Sequence, residues 1–235
     1  MPRTDFTIQT LACHLHLTPQ QVSRLADRGQ LPGRKVAGEW RFSRAEIHHW
    51  MERRIGVSDE GELVEVEEVL DRSATQEERE ILIGELTPVE AIAIPLAART
   101  AGSVIRSMVE LGARTGWLWD PEKMAEAVRS REEMHPTALE NGVALLHPRR
   151  PMPTILGQPL ITLGRTAAGI SFGGSHGSLT DVFFLVCSTD DRGHLRTLAR
   201  LSRMITAAGF LEALREAPDA PTAHRLIVET ETNLP

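Results

Sequence analysis

The chain has few cysteines and no long apolar run. Its 235 residues include only Cys13 and Cys187, which lie far apart. Their spacing fits neither a disulfide framework nor a metal-binding motif, so we expect reduced thiols in or near a core. No run of about 18 apolar residues is present, which argues against a transmembrane helix. The first residues also have no apolar signal core, so the sequence predicts a cytoplasmic protein without membrane insertion.

The net charge of −6 is unevenly distributed along the chain. Residues 1–56 carry nine basic and five acidic side chains, residues 57–90 carry two basic and twelve acidic ones, and residues 91–235 are balanced. We therefore predict a small basic domain, an acidic connector and a larger neutral domain. The basic domain favours a polyanion as its partner, although a solvated surface would carry the same charge.

Residues 1–56 contain clear helix signals. Apolar residues recur at helical spacing from Ile8 to Leu15, and Thr18 followed by Pro19 is typical of the start of a second helix. Gly29 ends that second helix. Because only a few residues separate the two helices, they are predicted to form a helix-turn-helix.

A predicted hairpin and a third helix follow. A turn signal at Pro32-Gly33 precedes one short predicted strand, and a second turn signal at Ala37-Gly38 separates it from another, so residues 32–41 are predicted to form a β-hairpin. Ser43 and Glu46 form a capping-box pattern, and the helix they begin is predicted to turn Ile47 and Trp50 inward.

The run TIQTLACHLHLTPQQVSRLADRGQLPGRKVAGEWRFSRAEI, residues 7–47, resembles the excisionase-type winged helix-turn-helix, a relative of the MerR-type DNA-binding domain. The resemblance implies that the second helix enters the major groove of double-stranded DNA and that the hairpin, as a wing, follows the backbone. The implied DNA contacts lie on the helix and on the wing: Gln21, Ser23, Arg24, Arg28, Arg34, Lys35 and Arg41. Trp40 is assigned to packing of the wing. A helix-turn-helix used only for protein contacts is the alternative.

No metal site or cofactor is predicted. The histidine pairs at 14 and 16 and at 48 and 49 do not have the i, i+4 spacing that lets two histidines on one helix share a metal. The turn at residues 173–177 is rich in glycine but has neither the lysine nor the spacing of a P-loop, and His176 is interpreted as a turn residue.

Residues 57–90 leave two interpretations open. Leu63, Val66 and Leu70 lie three and four residues apart, so the segment could form a short helix with a weak seam for a second copy, which would make a homodimer. A charged tether that folds only in part is equally compatible with the sequence.

Residues 91–235 alternate short apolar runs with amphipathic segments. Strands are predicted at 91–96, 143–146, 160–163 and 182–186, and helices at 100–114, 120–131, 194–206, 210–216 and 220–228. This alternation predicts an α/β layered domain. The predicted fold class is thus a small winged helix-turn-helix domain followed by an α/β layered domain.

The run REEMHPTALENGVALLHPRR, residues 131–150, resembles the active-site stretch of enzyme IIA of the sugar phosphotransferase system, of the fructose/mannitol and nitrogen-regulatory type. Arg131 lies 16 residues before His147, which is the spacing of that family. Further blocks match in order: 159–165, 169–172 and 191–203. The resemblance implies that His147 is the phosphoacceptor, His194 its partner histidine and Arg131 a clamp on the phosphoryl group.

These residue types suit phosphoryl transfer. A neutral imidazole is a good nucleophile, a second imidazole can donate a hydrogen bond to phosphoryl oxygens, and a guanidinium offers a fixed positive fork. Two departures from the family pattern stand out. His135 and Pro136 replace a glycine and a serine, and Pro148 follows the acceptor histidine instead of preceding it.

Three functions are compatible with this sequence. The first is a DNA-binding transcriptional regulator whose enzyme IIA-like domain senses phosphorylation, or a phosphocarrier protein or other phosphotransferase-system partner. The second is a histidine phosphocarrier enzyme of the sugar phosphotransferase system. The third is a non-catalytic module that binds an anion or a protein.

Overall fold

The computed structural model describes residues 5–15, 17–57, 82–174 and 177–234. These residues form two compact units, 5–57 and 82–234, and the predicted fold class is confirmed. The proposed seam of Leu63, Val66 and Leu70 lies outside the described residues, as does His176. In the part of the chain that the structure describes, no helix is long and apolar enough to cross a membrane.

The first unit consists of a helix-turn-helix, a hairpin and a third helix, as predicted. Its elements are α1 (Ile8–Leu15), α2 (Pro19–Asp27), β1 (Arg34–Val36), β2 (Glu39–Arg41) and α3 (Arg44–Val57). The strands β1 and β2 are antiparallel, and Phe6 extends this small sheet because it exchanges two backbone hydrogen bonds with Phe42, at 2.8 and 2.9 Å.

Local hydrogen bonds explain why the helices begin where they do. Before α1, the amide of Thr10 donates to the hydroxyl of Thr7 at 3.2 Å. Before α2, Thr18 and Gln21 form a reciprocal capping box with Pro19 in the first helical turn. Gly29, with φ of 69°, takes the left-handed conformation directly after α2, and this conformation redirects the chain.

The hydrophobic core of the first unit is small and fully closed. It centres on four side chains with no exposed surface: Leu11, Val22, Phe42 and Ile47. A Cβ atom on Gly33 would lie 2.7 Å from the Phe42 ring, so glycine is required where the chain enters the hairpin. This core fixes the hairpin against the helix-turn-helix.

The second unit is built around a mixed sheet of four strands. Its elements are α4 (Ile83–Leu86), β3 (Ile92–Ala93), α5 (Ala101–Arg114), α6 (Pro121–Met134), β4 (Val143–Leu146), β5 (Leu160–Ser171), β6 (Leu179–Cys187), α7 (Asp191–Thr206), α8 (Phe210–Glu216) and α9 (Ala220–Thr232). The strand order is β3-β5-β6-β4. The strands β3 and β5 are parallel, β5 and β6 are antiparallel, and β4 and β6 are parallel.

The main core of this unit lies between α5, α6 and the sheet. Its completely buried members include Val104, Met108, Met124, Leu146 and Phe183. All four residues of β4 are buried, as expected for a strand that is covered on both faces.

A buried carboxylate joins α9 to the start of the second unit. Glu231 accepts hydrogen bonds from the amides of Ile83 and Gly84, at 2.7 and 3.0 Å, and from Arg200 Nε at 2.6 Å. These bonds satisfy the first amides of α4, which have no partner within the helix. They also explain why α9 continues beyond residue 228, where the apolar pattern ends.

The two cysteines are expected to differ strongly in reactivity. Cys13 is exposed, whereas Cys187 is buried, and burial raises the pKa of the Cys187 thiol to about 12. Because the thiolate is the reactive form, we expect the native chain to react at Cys13 alone in a thiol titration near pH 8, and at both positions in denaturant. A Cys13→Ser control should show no rapid reaction, and rapid native labelling of Cys187 would contradict this expectation.

Candidate functional site

The topology of the second unit brings two histidines to one edge of the sheet. His147 directly follows β4, and His194 lies in the first turn of α7, which begins shortly after β6 ends. Because β4 and β6 are neighbouring parallel strands, their carboxyl ends meet at the same edge. The ring centroids of His147 and His194 are 5.1 Å apart, and the rings are tilted by 55°.

The protonation of His147 follows from its backbone contact. Its Nδ1 lies 2.7 Å from the carbonyl oxygen of Leu145. A carbonyl can only accept, so Nδ1 carries the proton, and in the neutral ring Nε2 carries the lone pair. The ring is 4% exposed, so this nucleophilic nitrogen lies beneath the surface.

His194 is oriented by a serine that follows β6. Its Nδ1 lies 3.1 Å from the Ser188 hydroxyl, and the histidine is 1% exposed. When this hydroxyl donates, Nε2 of His194 carries the proton and can act as a hydrogen-bond donor. The first turn of α7 is fixed by Asp190, whose carboxylate accepts from the Gly193 amide at 2.8 Å. Sequence reasoning missed Ser188, which has no motif to mark it.

Arg131 lies in the last turn of α6 and is 5% exposed. Its Nη1 donates to the carbonyl oxygen of His135 at 2.6 Å, so the guanidinium is tied to the segment that follows α6. The structure therefore places Arg131 next to the two residues, His135 and Pro136, at which the sequence departs from the family pattern. Pro136 in turn leaves no room for a Cβ atom on Gly173, which has φ of 79°.

A chain of contacts connects Glu132 to His147. The Glu132 carboxylate accepts from the hydroxyl and the amide of Thr137, at 2.5 and 3.0 Å. The Thr137 carbonyl accepts from the Leu145 amide at 3.4 Å, and the Leu145 carbonyl accepts from His147. Glu132 thus anchors the segment that runs beside β4. Sequence reasoning gave it no role, although it directly follows Arg131 in the matched run.

Burial raises the pKa of the Glu132 carboxyl above its ordinary value. The two hydrogen bonds from Thr137 and the positive charge of His147 and Arg131 act in the opposite direction and only partly offset the burial. Glu132 is therefore an acid close to His147 whose ionised form is favoured when the imidazole ring is positive.

Replacement of Glu132 by glutamine should change how stability depends on pH. A raised pKa in the folded state means that wild-type stability falls as the pH rises through that pKa. Glu132→Gln removes this titration, so its free energy of unfolding should increase relative to wild type as the pH rises from acidic to neutral. Urea unfolding at several pH values measures the difference, with exposed Glu133→Gln as a control. A difference that is constant across pH would contradict this expectation.

The residues assigned to DNA contact on α2 fall into two groups. Gln21 and Ser23 are engaged within the first unit, because Gln21 Oε1 accepts from the Thr18 amide at 2.8 Å and the Ser23 hydroxyl donates to Asp27 at 3.3 Å. Arg24 and Arg28 are exposed, and neither forms an ion pair within the described residues.

The three cations of the wing are each close to a carboxylate. Arg34 pairs with Asp5 at 2.7 Å, and Arg41 with Glu39 at 2.7 Å. Lys35 lies 3.7 Å from Asp27. Part of the positive charge of the wing is therefore already compensated.

Trp40 packs the wing, as predicted. Its ring stacks on Phe42 with centroids 5.9 Å apart, and Lys35 lies over its face at 5.1 Å. Its Nε1 donates to Asp27 at 3.3 Å, so Asp27 joins the end of α2 to the wing.

Metal ligands do not cluster within the described ranges: no group of three or more histidine, cysteine, aspartate or glutamate side chains could hold an ion there.

The chain thus combines a helix-turn-helix unit with a mixed α/β unit of the enzyme IIA fold, which carries two histidines at one sheet edge. The family model "Phosphoenolpyruvate-dependent sugar phosphotransferase system, EIIA 2" matches residues 85–230, and the helix-turn-helix domain model matches residues 6–55. The chain belongs to the EIIA 2 family of the phosphoenolpyruvate-dependent sugar phosphotransferase system.

Similar proteins come from several bacteria. A nitrogen regulatory protein from Bradyrhizobium diazoefficiens is 29% identical over 150 residues, which are 62% of this chain and 94% of that protein. The fructose-specific EIIABC component of Bacillus subtilis is 26% identical over 137 residues, 57% of this chain but only 21% of that longer protein. A solved complex of enzyme IIAMTL and phosphorylated enzyme IIBMTL from Escherichia coli has a similar fold, with a TM-score of 0.53 and 16% identity over 60% of this chain and 96% of that one.

Proposed function

We propose that the chain is a DNA-binding transcriptional regulator whose enzyme IIA-like unit senses phosphorylation or a phosphotransferase-system partner. The observation that carries the proposal is the pairing of His147 with His194 at one sheet edge, in the same chain as a helix-turn-helix with exposed Arg24 and Arg28. One unit can thus receive a phosphoryl group while the other binds double-stranded DNA.

The tautomer of His147 supports the proposed reaction. Nε2 attacks the phosphorus of a phosphohistidine donor, a new N–P bond forms, and the N–P bond of the donor breaks, with its electron pair returning to the donor ring. The Nδ1 proton stays in its hydrogen bond with Leu145, so the product ring carries a positive charge. Glu132 favours this charge, while His194 and Arg131 are the proposed donors to the phosphoryl oxygens.

The surroundings of the site suit an anionic partner. Arg149 and Arg150 are exposed and follow directly after buried Pro148. The similar Escherichia coli complex pairs enzyme IIAMTL with a phosphorylated protein. We therefore propose a phosphocarrier protein or another phosphotransferase-system component as the partner of the second unit.

The test uses the full chain and a histidine phosphocarrier charged from phosphoenolpyruvate. Intact mass should increase by one acid-labile phosphoryl group, and the affinity for a selected DNA duplex should change in the same sample. A chain that gains no phosphoryl group would rule out the phosphorylation switch and leave DNA binding standing.

A second candidate is a docking module that binds a partner without transfer. The burial of His147 favours it, as does Pro148, which removes a backbone N–H next to the acceptor. If His147→Ala leaves the response of DNA binding to the unphosphorylated partner intact, this candidate replaces the phosphorylation switch.

A further inference from the structure

Two neighbouring glutamines on the exposed part of α2, Gln20 and Gln21, differ in whether their side chains take part in the capping box of the helix. The side-chain oxygen Oε1 of Gln21 accepts from the backbone amide of Thr18 at 2.8 Å, and the backbone amide of Gln21 donates to the Thr18 hydroxyl at 3.2 Å. If the Gln21 side chain turned towards a DNA base, it would leave the Thr18 amide without this partner. Gln20 is exposed and takes no part in the capping box.

Gln20 shares a face of the helix with two arginines. Gln20, Arg24 and Arg28 are spaced four residues apart, and residues four apart lie one above the other on a helix. Arg28 caps α2 with φ of −85° and ψ of −1°, so it still follows the helical path. The three side chains are all exposed and form one stripe, which we call the 20/24/28 stripe.

We propose that the 20/24/28 stripe is the base-reading surface of α2 and that Gln20, not Gln21, selects an adenine. This inference rests on the proposed DNA-binding function. A glutamine amide can bond the N6 and N7 atoms of adenine, and an arginine fork can bond the O6 and N7 atoms of guanine. The glutamine at the start of α2 and the arginines beyond it therefore fit a site that contains adenine followed by guanine.

The dimensions of the helix set the spacing of the bases. Four residues advance a helix by about 6 Å, and one base pair advances DNA by about 3.4 Å. Gln20 and Arg24 thus reach bases about two steps apart. The positive charge of Arg24 and Arg28 complements the DNA backbone on either side, which supports nucleic acid as the occupant of this face.

Selection of duplexes from a random library by the full chain tests the proposal, with Gln20→Ala and Gln21→Ala as matched variants. Gln20→Ala should lose the preference for adenine at one position and bind the wild-type site about 5- to 100-fold more weakly in a gel shift. Gln21→Ala should keep the base preference and lower the unfolding temperature of the first unit, because it loses the capping box.

The outcomes separate this inference from the function on which it rests. If wild type selects no duplex, the proposed DNA-binding function fails. If wild type selects a site and Gln20→Ala leaves its base preference unchanged, or a folded Gln21→Ala loses it, the assignment of Gln20 is wrong while DNA binding stands. Circular dichroism of both variants shows whether they are folded.

Discussion

His147→Ala should abolish uptake of the phosphoryl group from a charged histidine phosphocarrier. The reason is that the Nδ1 contact with the Leu145 carbonyl at 2.7 Å leaves the lone pair of the neutral ring on Nε2, which is the nucleophile of the proposed reaction. Intact mass spectrometry after incubation with the carrier measures the loss. His135→Ala is a matched control, since this exposed histidine lies near the site and the bond that Arg131 donates to its backbone carbonyl does not require the imidazole.

Substitution of His194 should have a smaller effect of the same kind. Its ring would assist transfer but would not form the bond to phosphorus, so His194→Ala should slow phosphorylation by about 100-fold without abolishing it.

Phosphorylation of His147→Ala at the wild-type rate would show that another residue accepts the group.

Removal of the two helix arginines should weaken DNA binding far more than removal of two wing arginines. Arg24 and Arg28 have no ion pair among the described residues, whereas Arg34 and Arg41 each pair with a carboxylate at 2.7 Å. We expect the Arg24→Ala/Arg28→Ala variant to lose roughly 100-fold or more in affinity. The Arg34→Ala/Arg41→Ala variant removes the same formal charge and should lose much less.

Titration with salt sharpens this comparison. The slope of log affinity against log salt reports how many phosphates the protein neutralises, at about 0.9 per phosphate. The helix variant should combine a large loss of affinity with a loss of base preference, while the wing variant should lose a little affinity on all sequences alike, with a smaller salt slope and an unchanged base preference. Equal losses in the two variants would contradict the role given to α2.

Local capping and turn chemistry made the first unit predictable. Thr18 and Pro19 begin α2 and Gly29 follows its end, because side-chain caps and the left-handed backbone of glycine depend on a few neighbouring residues. The sequence alone did not reveal that one predicted DNA contact, Gln21, is part of this capping. The sequence shows Gln21 as a polar residue available for DNA, and the structure shows that its side chain completes the cap of its own helix.

The second unit was predictable where apolar patterns end sharply. The strand at residues 143–146 and the helix at 210–216 have the expected bounds, since each is a compact run between turn residues. The strands β5 and β6 extend well beyond their apolar centres. Backbone hydrogen bonds between β5 and β6 maintain these extensions, and the apolar pattern of the sequence does not show which strands pair.

The site was predictable only in part. The resemblance to enzyme IIA pointed to His147 and His194, and the structure brings their rings to 5.1 Å. Glu132 and Ser188 were missed, because their contacts with Thr137 and His194 depend on how the segment after α6 and the end of β6 meet the sheet edge. Residues that hold another residue in place have no spacing rule that a sequence displays.

The central claim is that phosphorylation of His147 changes how the first unit binds DNA. The most direct measurement is the affinity of the full chain for its selected duplex, at one salt concentration, before and after incubation with the charged phosphocarrier, with His147→Ala treated in parallel. We predict that the wild-type affinity changes by about tenfold, within the usual range of coupling between two sites, and that the His147→Ala affinity does not change. Equal affinities of phosphorylated and unphosphorylated wild type would contradict the claim.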